Sequence, residues 1–404
     1  MPETVAPSLD DSIDRELAGL DPRDPQYATE IVRRLLTFGA RLGISDLHFQ
    51  PTASGLELKI RLDGVLQSGG CFPLAVAPNI VARLKVLAEL LTYRTDVPQE
   101  GRIRGPESDV EMRVSTFPTL HGERAVVRLF AGAGRYLRLD DLGLPGDVLD
   151  PLRRLLRETS GAILVTGPAG SGKTTTLYAC LRELAVDRSR SLVSLEDPIE
   201  VAVDGVAQSQ VNPTVGLDLS TGLRFLLRQD PEVIMVGEIR DRATAEAAFQ
   251  ASLTGHLLLS TFHAGSPAEA VGRLSDMGIE PYLLRSGVLA ILSQRLVRRL
   301  CSCSREDRDP ASRLRLPVEN VRVPVGCPAC GGTGYRGRQL LVEMLTAQRS
   351  ELGQAILSRM DAATLERLAI ESGMVSRWQR ACGLIDAGLT SPAEVRRVLG
   401  FGEP

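Results

Sequence analysis

Ala162-Ile163-Leu164-Val165-Thr166-Gly167-Pro168-Ala169-Gly170-Ser171-Gly172-Lys173-Thr174 is the stretch whose reading decides the fold. An apolar, β-prone run enters a complete G-x-x-x-x-G-K-[ST] loop, and Thr174 through Ala185 reads as a helix. Strand, loop and helix in that order form the context in which this pattern cradles phosphate. Gly167, Gly170 and Gly172 let the backbone turn so that successive N–H groups point inward. Pro168, Ala169 and Ser171 complete the loop, and the helix behind it contributes the positive end of its dipole. Lys173 is placed to reach the β- and γ-phosphates, and the Thr174 hydroxyl to ligate Mg²⁺. Residues 167–174 are therefore expected to bind a nucleoside triphosphate.

Working outward, apolar strands are expected at 162–166, 191–195, 232–236 and 256–260, alternating with helices. That grammar specifies a parallel, helix-flanked sheet over residues 151–300. Upstream, Ile31, Val32, Leu35, Leu36 and Leu42 show helical periodicity. Leu56 to Leu62 alternates apolar with polar, and Asp63-Gly64 before Val65-Leu66 is a hairpin signal. A second helix fits 76–91, and strands fit 109–116 and 123–130. Residues 25–135 thus read as a smaller α+β domain, preceded by an acidic tail at 1–24 that is expected to be poorly ordered. Residues 136–150 read as a linker, 301–340 as an Arg- and Cys-rich loop, and 341–404 as mostly helical.

Three further constellations carry chemistry. In Asp230-Pro231-Glu232-Val233-Ile234-Met235-Val236-Gly237-Glu238 an apolar strand ends in a carboxylate, about 65 residues after the phosphate loop. A carboxylate there organises Mg²⁺ and its waters at the γ-phosphate; Gly237 occupies the usual Asp position, so the task falls to Glu238. Leu195-Glu196-Asp197-Pro198-Ile199-Glu200 places three carboxylates at the ligand-facing end of a strand. Glu196 is the candidate general base. Thr254 to His263 holds two of only four histidines, His256 and His263, at the two ends of one apolar strand. Some 20 Å of extended chain between them rules out a shared metal. Two histidines bracketing one strand are candidates to sense the γ-phosphate or couple it to neighbouring elements, with His263 the candidate site residue.

The bulk properties exclude other classes. The 404 residues suffice for two or three domains, with 43% hydrophobic and 24% charged residues. A net charge of −3 and only 4% aromatics give no basic, aromatic-laced surface for nucleic acid, so a translocase reading is disfavoured. No apolar run spans a bilayer, and the acidic N-terminus lacks a secretory signal, so a cytosolic chain is expected, peripheral at any membrane. Seven cysteines in such a chain are not a disulfide framework.

Taken in order, these blocks resemble the type II/IV secretion ATPase superfamily, the motors of type II secretion and type IV pilus assembly. The phosphate loop at 167–174, the acidic box at 192–200, Gly237-Glu238-Ile239-Arg240-Asp241 and the His box at 254–263 all carry the likeness. So do Ile44-Ser45-Asp46-Leu47-His48-Phe49-Gln50-Pro51, Arg61-Leu62-Asp63-Gly64-Val65-Leu66, Arg113-Val114-Ser115-Thr116-Phe117-Pro118 and His121-Gly122-Glu123-Arg124 with Arg128. The likeness covers about residues 28 to 400. It implies an α/β RecA-like ATPase core behind a PAS-like N-terminal domain, and a hexameric Mg-ATPase docked beneath an inner-membrane platform protein. It also implies that Arg113 and Arg128 reach nucleotide from the N-terminal domain when the domains close, which would couple hydrolysis to domain rotation.

The likeness departs in two places. Assembly motors carry a further N-terminal domain that binds a membrane-anchored recruitment protein, where residues 1–24 precede the first match here. The family's tetrathiolate zinc pattern is C-x-x-C twice; here Cys327-Pro328-Ala329-Cys330 is intact, but Cys301-Ser302-Cys303 is one residue short. A structural zinc on Cys301, Cys303, Cys327 and Cys330 is expected nonetheless, and its presence favours assembly motors over retraction motors. Two rival readings remain at this point: a retraction or DNA-uptake pilus motor with the same chemistry, and a scaffold that binds ATP without hydrolysing it.

Overall fold

The computed structural model describes residues 9–104, 111–129, 137–346 and 350–402. The chain divides into two compact units. One comprises Met1–Gly134, Arg298–Asp307 and Arg322–Arg338; the other comprises Arg135–Val297, Arg308–Val321 and Gln339–Pro404.

The first unit begins with helices α1 (Leu9–Leu17) and α2 (Tyr27–Leu42), continues through strands β1 (Asp46–Pro51), β2 (Gly55–Leu62) and β3 (Val65–Pro73), helix α3 (Ala77–Leu87), and strands β4 (Gln99–Arg104), β5 (Glu111–Thr119) and β6 (Gly122–Leu129). The six strands form one antiparallel sheet in the order β3-β2-β1-β6-β5-β4. Strand alternation gives this sheet two chemical faces. Leu47, Phe49, Leu58, Ile60, Val114 and Val127 are buried in one core with Ile31, Leu35, Ile80 and Leu84 of α2 and α3. The Asp63-Gly64 hairpin forms as the sequence predicts, with both residues at positive φ.

The acidic segment departs from expectation. Within 1–24, residues 9–17 form α1, and its Leu9 and Ile13 are buried in this core. A net acidic composition masked an apolar stripe one helical turn wide. Residues 1–8 lie outside the described residues, as do 105–110 and 130–136, which include the ends of two expected strands and the start of the expected linker.

The second unit starts earlier than that linker suggests. Leu139 is buried in a short 3₁₀ turn, and α4 (Gly146–Leu155) follows directly. Then come β7 (Gly161–Thr166), α5 (Lys173–Val186), β8 (Leu192–Glu196), β9 (Ala207–Gln210), α6 (Leu219–Leu226), β10 (Val233–Glu238), α7 (Arg242–Leu253), β11 (Leu257–Phe262), α8 (Pro267–Asp276), α9 (Pro281–Gly287) and β12 (Val288–Leu300). After the short strands β13 (Arg305–Glu306) and β14 (Arg322–Val323), β15 (Tyr335–Thr346) leads into α10 (Ser350–Leu357), α11 (Ala362–Glu371), α12 (Arg377–Asp386) and α13 (Pro392–Leu399).

The central sheet has the order β15-β12-β7-β11-β10-β8-β9. β12, β7, β11, β10, β8 and β9 pair in parallel along it. Every residue of β7 and β11 is buried, because helices cover both faces of a parallel sheet. One face packs on α4 and α5 through Leu152, Leu177, Leu181 and Met235; the other packs on α6 to α11 through Phe249, Leu258, Leu274 and Leu352. This is the α/β RecA-like architecture that the sequence predicts. The helices start on capping side chains: Asp218, Asp241, Ser266, Asp361, Ser376 and Ser391 each accept an N–H from the first turn behind them.

The Cys segment belongs with the N-terminal sheet, not in a module of its own after the ATPase core. Asp63 Oδ2 accepts the Gly337 N–H at 2.8 Å across 274 residues of sequence. Chain order hid that neighbour.

Candidate active site

Parallel strands bring their carboxyl ends to one edge, and that edge collects the predicted chemistry. Thr166 lies opposite Phe262 of β11 and Ser293 of β12. Gly167, His263 and Gln294 therefore follow at the same level. Val236 pairs with Leu195, which puts Glu196 and Glu238 at the ends of adjacent strands.

The loop at 167–174 has the geometry that its glycines foretold. Gly167, Gly170 and Gly172 sit at φ of 142°, 74° and 91°. A Cβ at Gly167 would stand 2.4 Å from the Gln294 carbonyl oxygen, so no other residue fits. Lys173 Nζ donates to the carbonyls of Gly167 and Pro168 at 2.9 and 3.0 Å, folded over the loop it serves. Burial pulls its ammonium below the ordinary lysine range, against the attraction of Glu238. Ser171 Oγ is buried with no hydrogen-bond partner among the described residues. Buried hydroxyls are seldom left so, and an orphaned donor in a glycine cradle fits a phosphate group. The residues present thus fit a nucleotide, and Thr174, at the start of α5, and Glu238 would be the residues to hold its Mg²⁺.

Glu238 is aimed by a β-bulge. β10 pairs with β11 as Val236 to Ser260 and then Glu238 to Thr261, with Gly237 extra. The slip turns Glu238 toward the ligand edge. There its Oε1 lies 2.7 Å from His263 Nε2, and its Oε2 accepts Arg240 Nε at 2.7 Å. Arg240 also reaches Asp197 at 3.3 Å. Gly237 is held by its carbonyl, which accepts Thr261 Oγ1 at 2.7 Å.

Glu196 is buried in a network. Tyr178 OH donates to its Oε2, while Ser194 Oγ and Gln208 Nε2 donate to Oε1 at 2.7 and 2.9 Å. Burial first, and then this carboxylate, push the Tyr178 phenol well above its usual value. His256 does not join the edge: its Nδ1 lies 3.0 Å from the Ala251 carbonyl, at the opposite end of β11.

Arg113 and Arg128 are directly opposite one another on β5 and β6 of the first unit. The register extends the row: Arg61, Asp46, Arg128, Arg113 and Arg102 lie side by side on five adjacent strands. Asp46 is the one acid in it, 3.0 Å from Arg128 Nε and 3.4 Å from Arg61 Nε.

The four cysteines converge within the first unit. Their Sγ atoms all lie within 4.8 Å of one another, with Cys301 to Cys327 and Cys327 to Cys330 at 3.8 Å and Cys303 to Cys330 at 4.0 Å. A tetrahedron of thiolates about 2.3 Å from zinc has edges of about 3.8 Å, so the donor set fits a tetrathiolate ion despite the short C-x-C. Backbone N–H groups of Cys327 and Gly334 point at Cys330 Sγ from 3.1 and 3.2 Å, as an anionic sulfur requires. The Cys303 N–H holds the Cys301 thiol down to about 7.

Sequence reasoning missed the supporting shell. Gln294 is fully buried and donates to Thr176 Oγ1 at 2.9 Å, on the helix that opens with Lys173. Tyr178, Arg240, Arg61 and Arg102 were equally silent. Gln294, Tyr178 and Arg102 lie in no quoted motif, and Arg61 and Arg240 lie in quoted blocks that assign them no role; tertiary contacts and strand register reveal them.

A model of the type II/IV secretion system protein family matches residues 23–397. The chain is 41% identical over 381 residues to the type II secretion system protein HxcR of Pseudomonas aeruginosa, covering 94% of this chain and 79% of that one. It is 41% identical over 389 residues to the type II secretion system ATPase E of Vibrio cholerae, covering 94% and 76%. It is 36% identical over 385 residues to the type IV pilus assembly ATPase PilB of Thermus thermophilus, covering 92% of this chain and 43% of that one. Among solved structures, the Legionella pneumophila ATPase DotB matches with a TM-score of 0.68 at 21% identity, covering 94% of this chain and 97% of that one. The pilus retraction motor PilT matches with a TM-score of 0.61 at 22% identity, covering 90% and 95%. With the phosphate loop, the bulge-aimed carboxylate and these likenesses together, the chain belongs to the type II/IV secretion system protein family and is an ATPase.

Proposed function

We propose that the chain is a homohexameric Mg-ATPase motor that powers pseudopilus or pilus assembly, working at the cytoplasmic face of the inner membrane against a platform protein. The observation that carries this reading is the carboxyl edge of the central sheet, where the Gly167–Thr174 cradle, Glu238 and His263 converge. About 40% identity to secretion ATPases over nearly the whole chain supplies the system. Among the described residues no helix is long and apolar enough to cross a membrane, which accords with work through a membrane-embedded partner. A membrane-anchored recruitment protein is a second partner of this reading.

Each residue has a role in it. Lys173 and the loop amides bind the phosphates. Thr174 and Glu238 hold Mg²⁺, which neutralises phosphate charge when bound. Glu196 is the general base, oriented by Tyr178, Ser194 and Gln208. Arg113 and Arg128 bring positive charge to the developing transition state. His263 ties Glu238 to the loop that follows β11. Zinc on Cys301, Cys303, Cys327 and Cys330 braces its segment.

The experiment is Mg²⁺-dependent phosphate release across a range of protein concentrations, with Glu238→Gln alongside. Specific activity that rises with concentration and vanishes in the variant is expected of a motor whose sites are completed by assembly. Undiminished turnover in Glu238→Gln would overturn the assignment. Absence of release with and without platform-containing membranes would favour the scaffold reading.

A further inference from the structure

The loop after His263 is gripped from three elements. From α8, Arg273 Nη1 donates to the His263 carbonyl and Glu269 Oε2 accepts the Gly265 N–H at 2.7 Å. From β12, Ser293 Oγ and Arg295 Nη2 donate to the Gly265 carbonyl at 3.3 and 3.0 Å. From α12, Arg377 Nη1 donates to the same carbonyl at 2.8 Å. One backbone oxygen therefore receives three donors, two of them guanidinium groups. The first two elements belong to the ATPase core in sequence; Arg377 comes from 112 residues further on.

Two guanidiniums on one neutral oxygen repel each other unless a counter-charge is near. Glu343 of β15 supplies it. It is 1% exposed, its Oε1 accepts the Arg377 N–H at 2.7 Å, and its Oε2 has no hydrogen-bond partner among the described residues. Glu366 lies 3.7 Å from the other Arg377 amine. A buried ionic group of this kind contributes little net stability against an apolar replacement, so its presence calls for another account. Its location supplies one. Gly265 is two residues from His263, whose imidazole meets Glu238. A Cβ at Gly265 would stand 2.4 Å from Glu269 Oε2, the atom that accepts the Gly265 N–H, so a side chain here would displace that acceptor. Beside Arg295, Gln294 holds Thr176 of the phosphate-loop helix. The dipeptide Gln294-Arg295 thus touches both halves of the nucleotide site, and α12 bears on one of them.

We propose that Arg377, seated on Glu343 and acting with Arg295 on the Gly265 carbonyl, is a positioning residue that holds the His263 loop in the turnover-competent geometry, so that the C-terminal helices set the rate of the site. This rests on the roles given above to Glu238 and His263. Arg377 is expected to act on turnover more than on nucleotide binding, because the phosphates are bound by the loop and Lys173.

The test uses the full-length chain. Arg377→Ala is expected to lower kcat about tenfold with KM changed less than about twofold, and Arg377→Lys to recover part of the loss by keeping a cation at the carbonyl. In a His263→Ala background the Arg377→Ala loss should largely disappear, since both act through one loop. Arg380→Ala, which breaks the α12 ion pair to Asp147 away from Gly265, should retain turnover. Wild-type kcat in Arg377→Ala, full additivity with His263→Ala, or an equal loss in Arg380→Ala would each overturn the proposal. If Glu238→Gln leaves turnover intact, the underlying site assignment fails first, and the two failures are told apart.

Discussion

His263 Nε2 stands 2.7 Å from Glu238 Oε1, and the contact exists because Gly237 is an extra residue in β10. Two adjacent parallel strands in unbroken register would send alternate side chains to alternate faces. The bulge resets that alternation at the last residue, where the carboxylate and the imidazole must meet. Arg240 takes the other oxygen of Glu238, so the carboxylate is held from both sides.

Lys173→Ala is expected to abolish turnover, by at least about a hundredfold, because no other side chain of the loop carries charge to the phosphates. The Tm should move by no more than a few degrees, since among the described residues the ammonium donates only to two loop carbonyls. Phosphate release beside a thermal melt checks both, and substantial residual activity would sink the site.

Tyr178→Phe strips one donor from buried Glu196 and removes the phenol oxygen that accepts the Glu200 N–H at 3.1 Å. A loss of about 1–3 kcal/mol in stability is expected, read by denaturant unfolding. Glu196→Gln should keep most of the stability and lose most of the turnover. The reverse pattern would make Glu196 a structural residue only.

Burial pushes the Glu343 carboxyl above its usual range, against the Arg377 N–H and charge. A folded-state pKa raised above the unfolded one gives stability that is present below the unfolded value and lost as pH rises through the folded value. Glu343→Gln removes that dependence while retaining an oxygen for the Arg377 N–H. The Tm of the variant relative to the parent should therefore be more favourable at pH 8 than at pH 4. An offset constant across that interval would show that the carboxyl does not titrate in it.

Cys327→Ser removes one of four sulfurs that lie within 4.8 Å of one another. The purified parent is expected to carry about one zinc per chain and the variant far less, with a lowered Tm. Metal analysis by mass spectrometry decides it; a metal-free parent that melts as high as one refolded with zinc would exclude a structural ion.

Sequence alone determined the nucleotide-binding loop, where along the chain four of the parallel strands that carry the site fall, and the terminal carboxylate of β10. Each is local: a fixed spacing of glycines, an unbroken apolar run, a charge at a strand end. The Asp63-Gly64 turn was legible for the same reason. Only the tertiary structure decided what depends on strands far apart in the chain. The row from Arg61 to Arg102 arises from pairing register, and the seat of Gln294 on Thr176 and the three donors on Gly265 from helices packed against strands; sequence neighbours encode neither. The same holds for the cysteines, where the fold brings a short C-x-C within 4.0 Å of the C-x-x-C. In α1 the burial of Ile13 outweighs an acidic composition, because a helix needs only one apolar face to dock.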